Sequence, residues 1–61
     1  MRTNATIKAM VQLFRDKDGK AVKFAYSIRV FARIIRDDIE VTEVLYKGVW
    51  YTANTNQVDF D

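Results

Sequence analysis

The 61-residue chain contains no cysteine and no histidine, only two glycines and a single serine. Without cysteine there is no disulfide to staple a small fold and no thiolate to hold a metal, which fits a reducing compartment. Without histidine the commonest metal ligand and the commonest general base are both missing. Two glycines cannot build a glycine-rich phosphate cradle, and neither G-x-x-x-x-G-K-[ST] nor G-x-G-x-x-G occurs. The lone serine, Ser27, has no histidine to activate it. No apolar run approaches the ~18 residues of a membrane helix, and the first residues lack the apolar segment of a secretory signal. These absences predict a cytoplasmic protein that is not an enzyme, with no cofactor, metal, small-molecule substrate or membrane association.

Acidic clusters do not change that expectation. Asp16, Asp18 and Gly19 match the start of a calcium loop, but the last ligand position of a twelve-residue loop would fall on Ser27. A hairpin turn accounts for them better. Asp37, Asp38 and Glu40 read as a solvated turn.

What the chain does have is apolar content. Hydrophobic residues make up 49% of it, with four Phe, three Tyr and one Trp. A domain this small buries only about 60% of its unfolded surface. The apolar surplus predicts a homodimer that shares a core. The net charge of +2 conceals a division: residues 1–36 carry nine Lys/Arg and two Asp, whereas residues 37–61 carry one Lys and six acids. Either basic and acidic strands lie side by side and neutralise one another, or the basic half faces nucleic acid.

The organisation is β. Ile7, Ala9, Val11 and Leu13 alternate with Lys8, Met10 and Gln12, and Val22, Phe24, Tyr26, Ile28 and Val30 alternate with Lys23, Ala25, Ser27 and Arg29. Period-2 alternation places one face in a core and the other in water. Asp18 and Gly19 suit a tight turn. A two-residue turn there pairs Leu13 with Phe24; a four-residue loop over residues 16–19 keeps the same parity. A three-residue loop would set polar against apolar residues and is rejected. The second strand runs from about Lys20 to Ile35, with a bend expected near Phe31, where the alternation changes phase. A second hairpin turns at Lys47 and Gly48, pairing Tyr46 with Val49, Leu45 with Trp50 and Val44 with Tyr51.

The expected fold is therefore mainly β, a small antiparallel meander or partly open barrel of about four strands. It forms one domain over residues 1–61, with 1–4 and 54–61 frayed. The alternative is β-β-α-β, with a helix over residues 28–46. Arg29, Arg33, Arg36, Glu40, Glu43 and Lys47 would form its polar stripe and Gly48 its C-terminal cap. β-Branched residues and a charge order that opposes the helix dipole count against that helix.

Two binding surfaces follow. Val44, Tyr46, Val49, Trp50 and Tyr51 are too many large apolar residues for one small monomer to bury, and predict a protein interface. On this reading the chain is a non-catalytic protein-binding module, an inhibitor or regulator that occludes a partner surface and self-associates. The alternative is a nucleic-acid platform on the outer face of the first hairpin, built from Lys8, Phe14, Lys23, Arg29, Phe31 and Arg33.

Overall fold

The computed structural model describes residues 3–36 and 41–60. They form seven antiparallel strands: β1 Thr3–Ile7, β2 Val11–Arg15, β3 Ala21–Phe24, β4 Ile28–Arg36, β5 Val41–Tyr46, β6 Val49–Asn54 and β7 Val58–Phe60. The mainly β expectation holds, but four strands understates the count. The helix over residues 28–46 is overturned: β4 and β5 occupy that stretch and pair with each other. Its β-branched residues fit a pleated surface better than a helix. Expectations for Met1, Arg2, residues 37–40 and Asp61 lie outside the described residues.

The strand order is β3-β2-β6-β5-β4-β1-β7. Seven strands laid flat would span about 29 Å at the usual inter-strand spacing. The Cα trace measures only 23 × 22 × 20 Å, so the sheet curls around its own inner face.

The curl originates in the N-terminal ribbon. β2 pairs with β3 through Leu13↔Val22 and Val11↔Phe24, and β1 pairs with β4 through Ile7↔Ile28 and Ala5↔Val30. These pairs belong to one continuous register, interrupted by residues 8–10 on one arm and 25–27 on the other. The expected long strands are thus each broken in two, and the break lies there rather than at Phe31. At the crease Met10 adopts φ 64, a left-handed conformation that non-glycine residues seldom take. Its N–H donates to the Phe24 carbonyl at 2.7 Å, and the Lys8 N–H donates to the Gln57 carbonyl at 3.0 Å. Alternation assigns Ala9 and Tyr26 to the inner face. Both are exposed instead, Tyr26 at 79%, because a ribbon creased toward its apolar face has no room for side chains in the crease. A separate irregularity lies near the expected bend, where the register of β4 against β5 shifts between Ile34 and Arg36.

The first turn is the four-residue loop. Arg15 N–H donates to the Lys20 carbonyl and Gly19 N–H to the Arg15 carbonyl, and only Gly19 has positive φ. Asp18 holds the loop from within. It accepts from Arg15 Nε at 3.1 Å, Arg15 Nη2 at 2.6 Å and the Lys20 N–H at 3.1 Å. This register sets Arg29 opposite Thr6 and Lys23 opposite Gln12. The two-residue turn would have opposed Lys8 and Arg29, two like charges.

All seven strands contribute to one core. Ala5, Ile7, Leu13, Phe24, Val30, Ala32, Val44, Tyr51, Ala53 and Val58 are buried. Phe24 closes the β3 end against β5 and β6, with its ring edge-on to Tyr46 at 5.9 Å and to Tyr51 at 5.2 Å. Such pairs contribute about 0.5–1.5 kcal/mol beyond area burial. Buried Thr42 shares a hydrogen bond with Thr55 at 3.0 Å. That threonine opens a single 3-10 turn, Thr55–Gln57, leading into β7, where Phe60 packs against the core. The stretch from residue 54 to 60, expected to fray, is ordered into structure.

The second hairpin has the expected register to the residue. Lys47 (φ 51) and Gly48 (φ 76) are both left-handed, as a type I′ turn requires. Asparagine tolerates the first position better than lysine. Lys47→Asn is therefore expected to raise stability by roughly 0.5 kcal/mol and Tm by roughly 2–4 °C. A Cβ at Gly48 meets nothing within 4 Å, so Gly48→Ala carries backbone strain alone. It should lower Tm by roughly 4–8 °C, for a cost of about 1 kcal/mol. Thermal unfolding followed by circular dichroism checks both signs.

Candidate interaction surface

Because β5 and β6 alternate, their residues divide cleanly between two faces. Val44 is fully buried and Tyr51 is 8% exposed, while Tyr46 and Val49 pack against the core. Four of the five residues assigned to a protein interface thus line the inner face. They point inward because Phe24 supplies ring partners there. Trp50, the fifth, lies on the outer face.

That outer face is ordered in rows. Cross-strand pairing sets Asn4, Phe31, Leu45 and Trp50 side by side across β1, β4, β5 and β6. Phe31 is 52% exposed, and Leu45 and Trp50 are half-buried. The neighbouring row is Arg33, Glu43, Thr52 and Phe14, running from β4 through β5 and β6 to β2. Phe14 is 55% exposed at its far end.

A chain of polar contacts fixes the face. The Arg33 guanidinium sits over the Trp50 ring, 4.5 Å from its centroid. The same guanidinium donates to Glu43 Oε1, from Nη2 at 2.8 Å and from Nε at 3.3 Å. The Thr52 hydroxyl donates to Asp16 Oδ1 at 2.5 Å, and the Asp16 N–H donates to the Trp50 carbonyl at 3.0 Å. Hydrogen bonding with Asp16, followed by burial, pushes the Glu43 carboxyl above its ordinary range, against the pull of Arg33. The basic half of the chain does lie beside the acidic half here, through Arg33 and Glu43.

The six residues assigned to nucleic acid do not form one platform. Arg29, Phe31 and Arg33 share the outer side of β4. Phe14 lies three strands away from Arg33, with Thr52 and Glu43 between them and Asp16 bonded to that Thr52. Lys23 lies beyond Phe14, on the edge strand β3, and Lys8 pairs with Asp59 at 3.8 Å. Sequence reasoning missed the alignment of Phe31 with Leu45 and Trp50. That alignment depends on the register of β4 against β5, which the solvated turn read at Asp37, Asp38 and Glu40 does not fix. The stacking of Arg33 on Trp50 depends on it too.

Among the described residues no helix is long and apolar enough to cross a membrane. Comparison with protein-family models, curated proteins and solved structures finds no match to this chain.

The two shifted carboxyls give opposite pH dependences. Glu43 holds its proton more tightly when folded. The stability linked to it is complete below the unfolded Glu range, about pH 4.3, and declines as pH rises through the raised value. Asp18 is held down to about 2 by Arg15 and by the Lys20 N–H. Its contribution is present above about pH 4 and is lost as pH falls toward 2. Urea midpoints should therefore pass through a maximum on acidification. Asp16→Asn should flatten the neutral-side slope, and Asp18→Asn should flatten the acid-side slope.

Proposed function

We propose that the protein is a small non-catalytic protein-binding module, an inhibitor or regulator, whose contact surface is the outer face centred on Phe31, Leu45 and Trp50. The observation that carries this reading is the preformed row of three apolar side chains, held by an arginine stacked on the tryptophan. Tryptophan and arginine are the residues over-represented among binding hot spots. A partly buried tryptophan whose neighbours are already fixed loses little side-chain entropy on docking.

Charge weighs against nucleic acid, because Asp16 and Glu43 interrupt the basic track that a phosphate backbone would follow.

Affinity capture from the cells that make the chain, run in parallel with folded variants, tests this reading. Proteins retained by the wild type and by Lys23→Glu should be lost with Trp50→Ala and Phe31→Ala, by roughly 30-fold in affinity for a hot-spot truncation of about 2 kcal/mol. Equal retention by the aromatic variants would overturn the assignment. Binding of a single-stranded oligonucleotide that Lys23→Glu abolishes would replace it with the nucleic-acid reading.

A further inference from the structure

The seam between β2 and β6 is short, with Phe14↔Thr52 and Arg15↔Tyr51 as its paired positions. Asp16 extends it past the end of β2. Its N–H donates to the Trp50 carbonyl at 3.0 Å, and its carboxylate accepts from the Thr52 hydroxyl at 2.5 Å. Glu43 stands opposite Thr52 on β5 and is hydrogen-bonded to the same Asp16 carboxyl. We propose that Asp16 and Glu43 share one proton, that this proton latches the end of β2 onto the sheet, and that its loss to solvent opens the seam beside Trp50. The latch stands whether or not the outer face binds a protein.

Donor counting requires the proton. An ionised carboxylate only accepts, and a hydroxyl has one proton to give. The Thr52 proton goes to Asp16 Oδ1. Arg33 donates to Glu43, and both of its bonds fall on Oε1. A hydrogen bond between the two carboxyls therefore needs a proton of its own. Charge agrees. Among the described residues, the charges that act on Glu43 are Asp16, from the loop after β2, and Arg33, from β4; β6 faces it with the uncharged Thr52. With the proton held, one carboxylate balances Arg33. Without it, two carboxylates share one guanidinium and repel each other, so the pair ionises in two separated steps. Placement decides which partner moves. The Glu43 side chain is 15% exposed and fixed by Arg33, whereas Asp16 is exposed at the head of a loop. That loop keeps its shape, since Asp18 binds Arg15 and the Lys20 N–H without help from Glu43. Arg15 and then the Lys20 N–H hold Asp18 down to about 2, so it stays ionised while the latch works. Proton loss then swings the loop as a unit away from β6 and loosens the bonds of Asp16 to Thr52 and Trp50.

A nuclear magnetic resonance titration of the intact protein tests the latch. The side-chain carboxyl carbons of Asp16 and Glu43 are expected to titrate together in two steps, the upper one above the ordinary Glu range of about 4.3. The Asp16 amide and the Trp50 indole signals should follow the upper step. Across it, protection of the Asp16 amide from hydrogen exchange should fall roughly fivefold, after correction for the intrinsic pH dependence of exchange. Glu43→Gln puts an amide donor where the proton was, so its Asp16 amide should stay protected throughout. Asp16→Asn removes the pairing and should leave Glu43 with a single step, below the upper step of the wild type. Independent titration of the two carboxyls, Asp16 and Trp50 signals indifferent to the upper step, or the same loss of protection in Glu43→Gln would each overturn the proposal. A latch that fails in this way leaves the protein-binding reading of Phe31 and Trp50 untouched.

Discussion

Residues 8–10 and 25–27 are withdrawn from the ladder of the N-terminal ribbon, and the rest of the sheet is arranged around that crease. A straight ribbon would present Ile7, Leu13, Phe24 and Val30 on one long apolar face that a chain of this size has no second layer to cover. Creasing it turns the two halves toward each other. β2 is then free to pair with β6, and β1 with β7, while β5 bridges β4 to β6. The inner faces converge on one core. Equal numbers of residues leave the ladder on each arm, so the register survives and no inward side chain changes sides. Met10 takes the backbone strain, and the Lys8 N–H, which would otherwise lack a ladder partner, is satisfied by Gln57. Gln57 also accepts from the Asn54 N–H at 2.9 Å, so the residue that ends the 3-10 turn links the C-terminal strand to the crease.

The same geometry decides which apolar residues stay on the outer face. Once β3 folds over, Phe24 meets Tyr46 and Tyr51, and that contact commits one side of the second hairpin to the core. Leu45 and Trp50 are left on the other side by the pleat. Phe31 joins them because β4 pairs with β5 in that register. The exposed row is therefore a consequence of burying the opposite face, and the Arg33 and Glu43 contacts hold it in one conformation.

Local chemistry made part of this legible. The second hairpin was readable to the residue, since Lys47 and Gly48 set its turn and β-branched and aromatic residues flank it. The inward parity of the first ribbon was readable because every acceptable turn length preserves it. The crease was not, because Ala9 and Tyr26 continue the alternation without interruption and only the demands of closure remove them from the core. The first loop length was open for a related reason: the decisive contacts are side-chain bonds from Asp18, which compete with the backbone preference for a tight turn. Trp50 was expected at a protein interface, and it lies on the outer face. Val44, Tyr46, Val49 and Tyr51 were placed with it because amino-acid type alone does not tell which side of a doubly apolar hairpin turns inward. Phe24 settles that from far along the chain, through its ring contacts with Tyr46 and Tyr51.

The outer face also departs from what stability alone would select. Glu43 stands next to a second carboxylate, Asp16, and hydrogen bonding with it, together with burial, raises the Glu43 carboxyl above its ordinary range. Phe14 and Phe31 remain about half-exposed on the same face. Local inconsistencies of this kind are expected where a surface serves something other than folding. They lie on the outer side of β2, β4 and β5 and in the first loop, opposite a core in which no described buried side-chain polar atom lacks a partner. One face is satisfied internally. The other is held rigid by Arg33, Glu43, Asp16 and Thr52, yet keeps apolar area in water, and that residual free energy is available to drive association.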